Sequence, residues 1–120
     1  MQDAACFALS QGDAFEQEIA APFKRRRAMA QKMIAGQNTV GLIPAQGAMY
    51  LMLDIRATGM TGEAFAFDLL EHHKIAVMPG ESFGNGGAGH IRLALTNDAQ
   101  VLREAGARIR LVAEAVVATR

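Results

Sequence analysis

The chain of 120 residues has no tryptophan, one tyrosine, one cysteine and three prolines. A lone Cys6 excludes an internal disulfide framework and fits a reducing, cytoplasmic setting. Acidic and basic side chains number twelve each, so no net charge draws the chain toward nucleic acid or an anionic membrane. No stretch approaches the ~18 consecutive apolar residues of a spanning helix, and the first residues do not follow a signal-peptide pattern. Internal repeats and low-complexity tracts are also missing, apart from the glycine-rich Gly84–Gly89. What is present is 51% hydrophobic and 20% charged residues, the composition of a globular chain, in a length that allows one domain.

Residues 1–10 are apolar and alanine-rich with no cap ahead of them, and read as the end of a helix that starts earlier. Gln11-Gly12-Asp13 is a turn with Asp13 placed to cap the next helix. That helix is expected over Ala14–Ala35, stopped by Gly36 and kinked or split at Pro22. Its run Lys24-Arg25-Arg26-Arg27 spreads around the helix at ~100° per residue, so it reads as a solvated face and not as one phosphate-binding patch. Strands are expected at Thr39–Ile43 and Ala48–Ile55, separated by a turn over Pro44–Gly47. Thr61 can cap a helix over Gly62–His73 with Phe65, Ala66, Leu69, Leu70 and His73 on one face. A buried strand over Ile75–Met78, a loop over Gly80–Gly89 and a strand over His90–Leu95 follow. Asn97 and Gln100 have the spacing of a capping box for a last helix in which Leu102, Ala105, Ile109, Val112 and Val116 recur at helical spacing. The fold expected is α+β: a small, largely antiparallel sheet of three to four strands with helices on one face, preceded by a long connecting helix.

Little in this order resembles self-contained catalysis. Gly84–Gly89, GNGGAG, matches G-x-G-x-x-G, but a strand follows where a dinucleotide site needs a helix. The glycines are better explained by positive-φ turns or a close backbone approach. His72, His73 and His90 have no ligand-spaced partners for a metal, Cys6 has no cation beside it, and Ser10 and Ser82 lack a nucleophile motif. Arg92 is the residue of interest, a cation in mid-strand between Ile91 and Leu93, directly after the glycine loop. A guanidinium held by sheet backbone can grip a carboxylate through two parallel hydrogen bonds, although an arginine on an exposed sheet face is also common.

The motifs taken in order carry more. P-A-Q-G-A-M-Y (Pro44–Tyr50), F-A-F-D-L-L-E (Phe65–Glu71), I-A-V-M-P-G-E-S-F-G (Ile75–Gly84) and H-I-R-L-A-L (His90–Leu95) together resemble the C-terminal small domain of class I/II, fold type I, pyridoxal-phosphate-dependent aminotransferases. Phe23–Met29, F-K-R-R-R-A-M, resembles the helix that joins the two domains of that family. The resemblance implies that residues 1–36 are the end of a large-domain helix plus the connecting helix, and that residues 37–120 are the small domain. It implies that Arg92 binds the substrate α-carboxylate, with Tyr50 and Phe83 near the substrate.

The same resemblance implies pyridoxal 5'-phosphate as cofactor of the parent enzyme, an amino acid/2-oxo acid pair as substrate, and a homodimer completed by a large cofactor-binding domain. The family's Schiff-base lysine follows S/T-x-x-K, and none of Lys24, Lys32 and Lys74 does. This chain alone is therefore expected to be an inactive, truncated fragment that binds no cofactor. Two other readings stay open here: a stand-alone module that binds a carboxylate or docks on a partner, and the C-terminal part of an aminotransferase-like transcription regulator. In the enzyme reading, the apolar faces of residues 1–10 and of the connecting helix should be exposed.

Overall fold

The computed structural model describes residues 1–120. Helices α1 (Gln2–Ser10) and α2 (Asp13–Ile34) lead into strands β1 (Gly41–Leu42) and β2 (Tyr50–Asp54). Helix α3 (Gly62–His73), strands β3 (Met78–Pro79) and β4 (His90–Ala94), and helix α4 (Ala99–Ala118) complete the chain. The strands lie in the order β1-β2-β4-β3, and every pairing is antiparallel. Strands β2 and β3 thus run the same way on either side of β4, joined through α3, which makes a split βαβ unit. The α+β class, the small antiparallel sheet and the preceding long helix are as the sequence predicts.

Alternation along the two central strands separates two faces. Leu51, Leu53, Ile91, Leu93 and Leu95 are buried on the helical side. Tyr50, Met52, Asp54, His90, Arg92 and Ala94 fall on the opposite, open side. Seventeen buried apolar residues form one core, with Phe65 and Leu69 from α3 and Leu102, Ile109, Val112 and Ala113 from α4. Ala30 and Ile34 bring the second half of α2 into it, while α1 buries nothing and residues 11–20 are all exposed. This leading arm accounts for the elongated 54 × 27 × 24 Å outline. It carries exposed Phe7, Leu9, Phe15 and Ile19, the apolar exposure expected of these helices. No helix is long and apolar enough to cross a membrane.

The boundaries differ from expectation for local reasons. Strand β1 starts at Gly41 and not at Thr39, because the Gln37 side chain accepts the Val40 N–H at 3.1 Å and donates to the Val40 carbonyl at 2.9 Å. Strand β2 starts at Tyr50 because Ala48, at φ +62°, cannot be extended. Ile75 is buried but lies outside β3, since Lys74 turns left-handed and the Ile75 N–H closes α3 on the Leu69 carbonyl.

Helix α2 crosses Pro22 without being split. The proline removes one backbone donor in a stretch whose partner carbonyl, on exposed Glu18, faces water. Gly12, at φ +79°, takes the cap position expected for Asp13, which instead sits in the first turn, where a carboxylate favours the helix dipole. Thr61 does cap α3, accepting from the Ala64 N–H at 3.1 Å. The expected box at α4 does not form: Asp98 is the cap residue without a side-chain bond, and Gln100 donates to Glu104. Leu70 is exposed, one helical step beyond the buried line of Gly62, Phe65, Ala66 and Leu69. Gly106 adds to the inward face of α4, since a side chain there would run into the end of Met33 on α2.

Candidate functional site

The open face of the sheet gathers the residues singled out in the sequence. On β4, Arg92 is flanked by Met52 across β2 and by Met78 across β3. Tyr50 pairs with Ala94, which makes it the diagonal neighbour of Arg92, close enough for a long side chain to reach. The guanidinium carbon lies 4.2 Å from the Tyr50 ring centroid and 4.5 Å from that of Phe83. Three separate motifs, one of them more than thirty residues before the others, therefore meet in one aromatic clamp around a half-buried cation. Cation–aromatic contacts of this kind contribute about 0.5–2 kcal/mol each. Arg92 has no ion-pair partner in the chain. A guanidinium covered by rings offers its N–H edge to a planar acceptor, the geometry a carboxylate fills with two parallel bonds.

The acid on this face is otherwise engaged. Asp54 takes the Arg56 guanidinium in a fork, at 2.9 Å to Nε and 2.6 Å to Nη2. The hydrogen bond from Arg56 holds the Asp54 carboxyl below its usual range, against a smaller opposing effect of burial. Opposite it, His90 has Nδ1 2.8 Å from the Ala88 carbonyl, so that nitrogen carries the proton.

Phe83 reaches Arg92 from a 3₁₀ turn, Gly80–Phe83, followed by a second over Asn85–Gly87. Gly84 (φ +103°) and Gly89 (φ +70°) supply the positive-φ turns expected of the glycine loop. Gly80 and Gly87 approach so closely that a Cβ on either would strike the other's carbonyl. Strand β4 follows the loop, with no helix aimed at it.

Sequence reasoning missed Glu81. One of its carboxylate oxygens accepts the Gly62 N–H at 2.8 Å and the Gly89 N–H at 3.1 Å, and the other is buried without a partner. The available signal was an acid inside a loop of small residues, which has many free N–H groups to satisfy. Backbone N–H donors, its own foremost and then those of Gly89 and Gly62, lower the Glu81 carboxyl from its ordinary 4.5. A lowered folded-state value means that the stabilisation is complete above the ordinary value and fades as pH falls below it. Urea midpoints of the wild type should thus drop below about pH 4.5 by more than those of Glu81→Gln. Parallel acid profiles would show that Glu81 is not held as an anion.

The basic run is also more than a solvated face. Arg26 lies over Phe23 at 5.6 Å and donates to the Leu95 carbonyl at 3.0 Å, and Arg27 donates to the Ala48 carbonyl at 3.4 Å. These two cations tie α2 to the end of β4 and to the turn ahead of Tyr50, while Lys24 and Arg25 stay exposed.

An α+β domain with this motif order has clear relatives. Residues 1–109 match the model of the aminotransferase class I and II family, and the chain belongs to that family. It is 41% identical over 113 residues to the arginine–pyruvate transaminase of Pseudomonas aeruginosa, covering 94% of this chain and 29% of that protein. It is 33% identical over 112 residues to the LL-diaminopimelate aminotransferase of Oleidesulfovibrio alaskensis, covering 91% of this chain and 28% of that protein. Among solved structures, an aminotransferase from Staphylococcus aureus superposes with a TM-score of 0.81 at 34% identity, over 94% of this chain and 30% of that one. The chain thus spans less than a third of each of these relatives.

Proposed function

We propose that these 120 residues are the C-terminal domain of a pyridoxal-phosphate-dependent aminotransferase, in which Arg92 binds the α-carboxylate of an amino acid/2-oxo acid pair. The observation that carries this reading is the Arg92 guanidinium held between Tyr50 and Phe83 with no anion of its own. Two parallel N–H bonds would fix the plane of the carboxylate and with it the direction of its bond to Cα. The rings would keep water from the guanidinium faces, which strengthens the remaining charged bonds. Family membership supports the reaction class. Residues 1–36 then belong to the end of the large domain and its connecting helix, and residues 37–120 to the small domain of a cytoplasmic homodimer.

The residues present do not fit the cofactor itself. Lys24, Lys32 and Lys74 are all exposed, the first two on α2, and Lys74 donates to the Glu71 carbonyl at the end of α3. Mixed with pyridoxal phosphate and desalted, the 120-residue chain should retain no cofactor absorbance and should not transaminate. A chain carrying the family's lysine-bearing domain ahead of these residues should do both. Retained cofactor on the short chain, or no transaminase activity in the long one, would contradict the proposal.

A further inference from the structure

We infer that Glu81 is a positioning residue that sets the Arg92 clamp by latching the turn that carries Phe83. Phe83 is 52% exposed, so packing alone does not fix its ring over the guanidinium. What fixes it is the turn Gly80–Phe83, and the only side chain of that turn bonded to other elements is Glu81. One oxygen of its carboxylate joins three pieces of chain: its own turn, the first residue of α3 at Gly62, and Gly89 just before β4. Arg92 stands three residues beyond Gly89, so a single oxygen ties the segment bearing the ring to the strand bearing the cation.

The surroundings are shaped for this latch. Gly62 is buried, and a Cβ there would collide with the second Glu81 oxygen and with the His90 carbonyl. Gly89, at φ +70°, points its N–H inward from a conformation that side-chain-bearing residues rarely adopt. That second oxygen is buried with no hydrogen-bond partner. Leaving it so is costly, and the charged bonds made by its twin, at the positive end of the α3 dipole, offset that cost. An acid that served only to solubilise the loop would not be placed this way. The latch acts through Phe83, since Glu81 itself makes no hydrogen bond or ion pair with Arg92.

The purpose assigned to the latch rests on the carboxylate-binding reading, but its test needs no ligand. In the whole 120-residue chain, the Arg92 side-chain protons should show NMR shifts displaced upfield by both rings. Phe83→Leu should remove the Phe83 share, and Glu81→Ala should remove the same share with the fold intact. The double variant should match Phe83→Leu alone. Glu81→Gln should keep the wild-type shifts, because its carboxamide oxygen can accept the same two N–H bonds. Unchanged Arg92 shifts in folded Glu81→Ala, or effects that add in the double variant, would overturn the role. If Glu81→Ala does not fold, Glu81→Asp, one methylene shorter, should lose the Phe83 share. Failure of both to fold would make Glu81 a residue of general stability and equally overturn it. Failure of Arg92 to bind a carboxylate would leave these shifts readable, so the two proposals fail separately.

Discussion

On the proposed function, Arg92→Ala in a chain that carries the lysine-bearing domain is expected to lower kcat/KM by about 10²- to 10⁴-fold. Two charge-assisted hydrogen bonds in a site shielded from water contribute about 1.5–3 kcal/mol each, and every 1.36 kcal/mol is a factor of ten. Arg92→Lys keeps the charge but loses the fork, so it should recover only part of the loss. The division between the constants is informative. If the carboxylate contact only holds the substrate, KM rises and kcat stays; if it also orients Cα toward the reacting groups, kcat falls with it. The guanidinium carbon sits 4.2 and 4.5 Å from two ring centroids, a pre-set geometry that favours an orienting role and hence a fall in both. A loss below tenfold would remove Arg92 from the binding site.

Phe65→Ala should cost about 3–5 kcal/mol of folding free energy, a large part of the ~5–15 kcal/mol available to a domain. Phe65 is fully buried at the first inward turn of α3, facing the strands that carry the open face. Its removal leaves a cavity that the surrounding leucines and isoleucines can fill only in part. Helix α3 also presents Gly62 to Glu81, so a looser α3 should disturb the Phe83 turn before the chain unfolds. Urea denaturation measures the loss, and a change under 1 kcal/mol would mean that the core closes over the gap.

Much of this structure was legible in the sequence because its signals were local. Strand β4 has strict alternation, and Ile91, Leu93 and Leu95 are buried as the pattern requires. Thr61 ahead of α3 is a cap that works within four residues. Arg92, Tyr50 and Phe83 could be named from motif order, but their meeting in one clamp depends on the β2–β4 register and on the loop path. The misplaced features are those in which tertiary or side-chain bonds override propensity. Gln37 takes the backbone groups that would have extended β1. Asn97 and Gln100 have capping-box spacing, yet α4 begins one residue later and Gln100 turns to Glu104. Arg26 and Arg27 look like surface charge until the strand end and turn that accept from them are known. Glu81 carries no motif at all; its role exists only where Gly62 and Gly89 converge.

Arg92, clamped by Tyr50 and Phe83, is proposed as a carboxylate receptor. Titrating a 2-oxo acid into the 120-residue chain, while following the Arg92 guanidinium by NMR, tests it most directly. The chain has one tyrosine and no tryptophan, so Tyr50 fluorescence provides a second signal from the same site. A saturable shift of the Arg92 resonances, absent with the matching amide and abolished by Arg92→Ala, is the predicted result. Equal responses to acid and amide, or an acid response that survives Arg92→Ala, would contradict it.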